Sequence, residues 1–128
     1  MHTLRVIGYW RSEEHPEFPD PHDLVDTSWD DAEKRQVSWY LSQGTLARLY
    51  MGSSRCRICG QMNGAMEYSD DTYTWPEGLA HYISDHSVRL PDEVVRHAIE
   101  RNRQYQDAGR DAGWWLSVTR PTHELGAS

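Results

Sequence analysis

The chain is short of several things that define protein classes. Its 128 residues hold only two cysteines and one phenylalanine, and acids outnumber bases by 20 to 13. No apolar run reaches the roughly 18 residues that a membrane helix needs. Cys56 and Cys59 stand too close for a disulfide between them to close a useful loop, so a disulfide framework is excluded and a reduced pair in a cytoplasmic setting is expected. The formal charge of −7 repels phosphate backbones and anionic lipid, which disfavours nucleic acid and membrane surfaces as partners. Met1-His2-Thr3-Leu4-Arg5-Val6-Ile7-Gly8 lacks the basic start and apolar stretch of a secretory leader. No Gly-x-Ser-x-Gly, His-Glu-x-x-His, phosphate-loop or dinucleotide fingerprint occurs, so hydrolase, kinase and dehydrogenase readings have no footing.

What is abundant is amphipathic aromatics, six tryptophans and seven tyrosines, whose N–H and O–H groups need partners wherever they are buried. The length fits one domain, with a modest core that profits from a staple.

Local patterning predicts an α+β fold: a small, mostly antiparallel sheet with about three helices. Leu4–Trp10 reads as a strand, and Arg11–Asp26, with three prolines and six acids, as an irregular loop packed down by Phe18, Leu24 and Val25. A helix capped by Thr27 or Ser28 runs to Gly44, and Thr45–Met51 reads as a strand. Ala65–Tyr68 and Thr72–Trp75 form a hairpin about Ser69-Asp70-Asp71. Pro76 opens a helix reaching about Ser84, and Pro91 opens another, with Val94, Val95, Ala98 and Ile99 at helical spacing, ending near Gly109. Gly113–Val118 reads as a late strand or docked arm, and residues 119–128 as a frayed tail.

The densest chemistry lies between residues 53 and 90. Cys56, Cys59, His81 and His86 follow the spacing C-x2-C-x21-H-x4-H, two thiolates and two imidazoles in an order that suits one tetrahedral zinc ion. Cys-Arg-Ile-Cys-Gly has the shape of a zinc knuckle, and the hairpin and helix that follow complete a knuckle–hairpin–helix unit of the treble-clef or ββα kind. Five residues apart on an ideal helix, His81 and His86 point about 140° apart, so His86 is expected on a distorted last turn or just beyond it. A redox Cys-x-x-Cys and a pair of merely structural cysteines are the rivals. The redox reading wants a helix after the motif, where Gly60-Gln61-Met62-Asn63-Gly64 offers none.

Four protein ligands close the site and make the zinc structural. A catalytic zinc needs an open position for water, with Glu77 or Asp85 as the nearest acid or base. Glu77 also fits an ordinary first-turn acid and Asp85 a group that orients a histidine. His97, between Glu93 and Arg101, reads as part of a solvated polar stripe. Arg48, Arg55 and Arg57 surround the knuckle, but the helix before His86 carries acids and no base, so groove reading in the manner of a DNA-binding finger is not expected. Trp114 and Trp115 are the candidates for contact with a partner, since adjacent strand residues face opposite ways and one of them is left to cover something.

The pieces Tyr50-Met51-Gly52, Cys56-Arg57-Ile58-Cys59-Gly60, Asn63-Gly64, Trp75-Pro76-Glu77-Gly78-Leu79-Ala80-His81-Tyr82, His86 and Val88-Arg89-Leu90-Pro91 resemble a family of small uncharacterised bacterial proteins. The resemblance spans Leu4 to about His97 and implies kinship, with no activity attached. The expected protein is a zinc-stapled adaptor, regulatory or immunity-type module that recognises another protein. A small zinc enzyme using Glu77 or Asp85 is the alternative, and a nucleic-acid-binding finger is less favoured.

Overall fold

The parts of the chain that place the candidate site are a β-hairpin and the helices fastened to its two ends. In the computed structural model, which describes residues 2–49 and 52–120, the elements in order are β1 (Arg5–Val6), α1 (Asp31–Ser42), β2 (Leu46–Leu49), β3 (Met66–Ser69), β4 (Tyr73–Pro76), α2 (Leu79–His86), α3 (Asp92–Asp107) and α4 (Gly113–Thr119). A 3-10 turn at Pro21–Leu24 gives the acidic loop a local anchor, with the Asp20 side chain accepting from the His22 N–H. The class is α+β. The strands pair in the order β1-β4-β3-β2.

β3 and β4 form the expected antiparallel hairpin, and β2 adds to it antiparallel, with Leu46 opposite Ser69 and Leu49 opposite Met66. β1 pairs with β4 in parallel, so the sheet is mixed. The strand expected over Leu4–Trp10 contracts to two residues. After the Ile7 N–H donates to the Thr74 carbonyl at 2.9 Å the chain leaves the sheet, and Trp10 turns to meet Tyr82 edge-on at 5.3 Å. Pro76 ends β4 instead of opening a helix, and α2 begins three residues later at Leu79. The strand read over Thr45–Met51 is present as Leu46–Leu49, its last two residues lying outside the described ones.

α1 starts one turn later than its Thr27 or Ser28 reading. Asp30 is the cap and accepts from the Glu33 N–H at 2.9 Å, while Trp29 Nε1 donates to the Glu33 carboxylate at 2.7 Å. α1 packs against α2 and α3. Val37, Leu41, Trp75, Leu79, Ile83 and Ala98 are at most 1% exposed in the core they share. Trp75 satisfies its indole N–H on the Leu41 carbonyl at 2.9 Å, the partner that a buried tryptophan requires.

The hairpin turn holds a second polar knot. Asp70, its side chain 3% exposed, accepts from the Thr72 and Tyr73 N–H groups through one oxygen and from the Tyr40 hydroxyl, at 2.5 Å, through the other. His97 Nε2 meets that second oxygen at 2.7 Å. His97 therefore belongs to this knot and not to a solvated stripe: the helical phase that exposes Glu93 and Arg101 still turns residue 97 toward the hairpin turn.

Two helical expectations change at the C-terminal side. α3 ends at Asp107, two residues before Gly109. Gly113–Val118, expected as a strand or docked arm, lies in the helix α4 (Gly113–Thr119), and every residue of that helix is exposed. The reason is that tryptophan and valine serve either secondary structure, and the Asp111 carboxylate accepts from the Gly113 N–H at 2.7 Å at the first turn. Of the tail expected to fray over 119–128, Thr119 closes α4, and residues from 121 on lie outside the described ones.

Candidate metal centre

Before its ligands are considered, the Cys56 loop is shaped by backbone hydrogen bonds. The Cys56 N–H donates to the Gln61 carbonyl and the Gly60 N–H to the Cys56 carbonyl, both at 2.8 Å, while Arg55 and Met62 pair across the loop. Gly60, at φ +76°, makes the turn that a side chain would strain. The Ile58 and Cys59 N–H groups aim at Cys56 Sγ from 3.4 and 3.5 Å, the arrangement that stabilises charge on a ligating sulfur.

Across the loop, α2 supplies the other half. The Tyr82 hydroxyl accepts from the Arg57 N–H at 2.7 Å and ties the helix to the loop. Burial pushes the Tyr82 hydroxyl above its ordinary pKa, so it stays a neutral phenol beside Cys56. Cys56, Tyr82 and Val88 form a small buried cluster against which Trp10, Leu24 and Ile58 pack.

His81 stands in the first turn of α2, and His86 is its last residue, followed by Ser87 in the left-handed conformation at φ 55°. The two rings approach to 5.0 Å between centroids at 85°. The divergence of an ideal helix is thus overcome at the final turn, where His86 was expected.

The ligand atoms of Cys56, Cys59, His81 and His86 all lie within 4.8 Å of one another, close enough to hold a metal ion. Ideal bonds to zinc set the edges of such a tetrahedron at about 3.3–3.8 Å. The edge from Cys59 Sγ to His81 Nε2 is 3.3 Å. A second observation is independent of the spacing: His86 Nε2 is buried and finds no hydrogen-bond partner among the described residues. A buried polar nitrogen left bare is costly unless something binds it. Donor set, separation and orphaned nitrogen all fit one cation.

Around these four, Asp85 Oδ2 lies 3.3 Å from His81 Nδ1. This contact leaves Nε2, the nitrogen facing Cys59, free to ligate. Glu77 is occupied elsewhere. Its Oε1 accepts from the Ala65 and Met66 N–H groups at 2.6 and 3.1 Å, and Tyr68 donates to Oε2 at 3.4 Å. Gly64, at φ +97°, passes so close to the Glu77 side chain that a Cβ there would collide with it. The carboxylate thus fixes the chain where it leaves the Cys56 loop and enters β3.

Sequence reasoning brought the four ligands together and offered Asp85 as one that orients a histidine, and the structure places it against His81. It missed Glu77 as a brace, because the approach of Gly64 to Glu77 follows from the hairpin register and not from their spacing in the chain. It also missed the Asp70 knot, because Tyr40, Asp70 and His97 are remote in the chain. No family model, no curated protein and no solved structure matches this chain. No helix among the described residues is long and apolar enough to cross a membrane.

Proposed function

We propose that this protein is a zinc-stapled recognition module, in which one zinc ion held by Cys56, Cys59, His81 and His86 is structural and an exposed aromatic surface engages another protein. The observation that carries the zinc reading is the bare, buried Nε2 of His86 in a cluster whose other donors are two sulfurs and an imidazole. Two thiolates and two imidazoles favour zinc over hard cations, which seek oxygen. Four protein ligands fill a tetrahedron and leave no position for substrate. The ion supplies cross-linking: it joins the Cys56 loop to both ends of α2.

The alternative of a zinc enzyme draws no support from its two candidate residues. Glu77 is spent on backbone N–H groups and Asp85 on His81. Recognition of protein is favoured by α4, where Trp114 and Trp115 are 74% and 60% exposed. Tryptophan is enriched at the energetic centres of protein interfaces and depleted on free surface. The acidic balance weighs against nucleic acid. A reduced compartment such as the cytoplasm suits the two free thiols, and kinship with the small bacterial proteins that share the Trp75–Tyr82 motif is part of the same reading.

The test is chelation with a folding readout. Removing the metal from purified protein at neutral pH is expected to unfold the Cys56 loop and α2, and returning zinc to restore them. A chelated protein whose spectrum and thermal midpoint do not change would refute the structural role.

A further inference from the structure

α4 presents a physical problem. A helix of seven residues is far below the roughly 12–15 at which helices become stable alone in water. Yet Trp114, Trp115, Leu116 and Val118 are 74, 60, 62 and 56% exposed, and these apolar residues cover about 200° of the helix circumference. An apolar face that wide on so short a helix calls for a surface to cover it.

The same chain carries an apolar surface of matching kind. A cavity of about 620 Å³ opens between the segment after β1, the proline-rich loop and the start of α3, with walls that include Ile7, Trp10, Leu24 and Leu90. Val6 and Val25, also in its walls, are 55% and 40% exposed, unusual for valines beside a core. Asp23, Asp26 and Asp92 stand in the same lining, with Arg89 the one base, itself paired to Asp26 at 2.9 Å. α4 is bracketed by the opposite sign, Arg110 before it and Arg120 after it, with Asp111 between.

Resting on the recognition reading above, we infer that the partner is a second copy of this chain: α4 of one copy seats its tryptophans in the groove between Val6, Leu24 and Leu90 of the other, and the exchange is reciprocal. Geometry favours exchange between copies. The groove lies at the N-terminal end of α3, and α4 follows its C-terminal end; sixteen residues of helix separate them, about 24 Å. The six steps from Asp107 to Gly113 stretch to at most about 22 Å, so α4 meets the groove of its own chain only with the linker drawn out straight along α3, whereas a second copy meets it without that constraint.

Area supports the same conclusion. Two tryptophans at these exposures offer roughly 300 Å². Two helices and two grooves buried about a two-fold axis come to the order of 1,200 Å², where specific interfaces begin. Reciprocal exchange also closes the assembly at a dimer.

Sedimentation equilibrium of the full zinc-loaded chain, over a concentration series up to about 500 µM, tests this. A monomer–dimer equilibrium is expected. Trp114→Ala/Trp115→Ala should weaken it by more than about 30-fold, with zinc content and far-UV spectrum unchanged. Val25→Glu, which places a charge in the groove and leaves α4 whole, should weaken it equally. The two variants mixed should form a heterodimer through the one intact exchange. A wild-type chain that stays monomeric throughout overturns the inference, and so does a dimer that survives both variants. Zinc measured on the same samples keeps the two readings apart: a monomer with one bound zinc contradicts the dimer alone, whereas a monomer without zinc contradicts the stapled module as well.

Discussion

The two ends of the β3–β4 hairpin are fastened to the helices by opposite means. At the turn, Asp70 collects the Thr72 and Tyr73 N–H groups, the Tyr40 hydroxyl and His97, and every partner named is supplied by the chain. At the other end, the Cys56 loop and α2 bring together four donors and leave His86 Nε2 bare. One knot is complete when the chain folds, and the other, on the reading proposed above, is completed by a cation. In a 128-residue chain with one phenylalanine, both compensate for a core rich in polar-edged aromatics, but on that reading only one makes folding depend on the environment.

The largest effect should follow from breaking the metal end. Structural zinc is coupled to folding by on the order of 10 kcal/mol. Cys56→Ser or His86→Ala should therefore unfold the loop and α2, with loss of hydrogen-exchange protection at Tyr82 and Ile83. The comparison sharpens if protection at Val94 and Val95, in α3 beside the Asp70 knot, outlasts it. Equal loss at both ends would mean that the two knots are one cooperative unit.

Next comes the turn end. Asp70→Ala leaves the Tyr40 hydroxyl, His97 and two backbone N–H groups without their acceptor, a loss of about 3 kcal/mol or more, read by denaturant unfolding of the zinc-loaded protein. Zinc affinity should change little, because Asp70 shares no partner with the ligands.

The same knot sets a pH dependence. Burial disfavours the Asp70 carboxylate, but the Tyr40 hydroxyl, the Tyr73 and Thr72 N–H groups and His97 outweigh it and hold its pKa below the ordinary 3.8. A folded pKa below the unfolded one contributes stability that is whole above the unfolded value and lost as pH falls through the folded value. For Tyr40, burial and then Asp70 raise the hydroxyl well above its ordinary 10. Stability from this group is whole below pH 10 and declines as pH rises further, toward the raised folded value. Unfolding free energy followed from neutral pH to each extreme should show both limbs, and Asp70→Asn should flatten the acid one. A chelated sample that keeps the alkaline limb would place it at the turn and not at the metal.

Gly64→Ala is a smaller test of how the metal loop is braced. It combines a left-handed backbone with a collision against Glu77, about 1–3 kcal/mol, visible as a lower thermal midpoint. The smallest expected effect is Asp85→Asn, which loosens the orientation of His81 and should weaken zinc by roughly tenfold in a competition titration, with the fold intact.

The metal end was legible in the sequence because its signal is local. Two cysteines in a short turn and two histidines on one helix can be recognised from type and spacing, and the hairpin between them follows from turn residues. The Asp70 knot was not legible, since Tyr40, Asp70 and His97 are joined by tertiary packing that no spacing records. β1 was read too long and its parallel pairing was not read for a related reason: a β-branched run shows that a strand is possible, but its partner and direction depend on which edge is free, here that of β4. α4 was read as a strand or docked arm because tryptophan and valine suit strands, and the one local sign of a helix start is the Asp111 carboxylate on the Gly113 N–H.

X-ray absorption at the zinc edge, on purified protein with metal content measured in parallel, tests the central claim most directly. The account predicts one zinc per chain with two sulfur and two nitrogen neighbours. An oxygen neighbour in place of a nitrogen, or a folded protein without zinc, would contradict it.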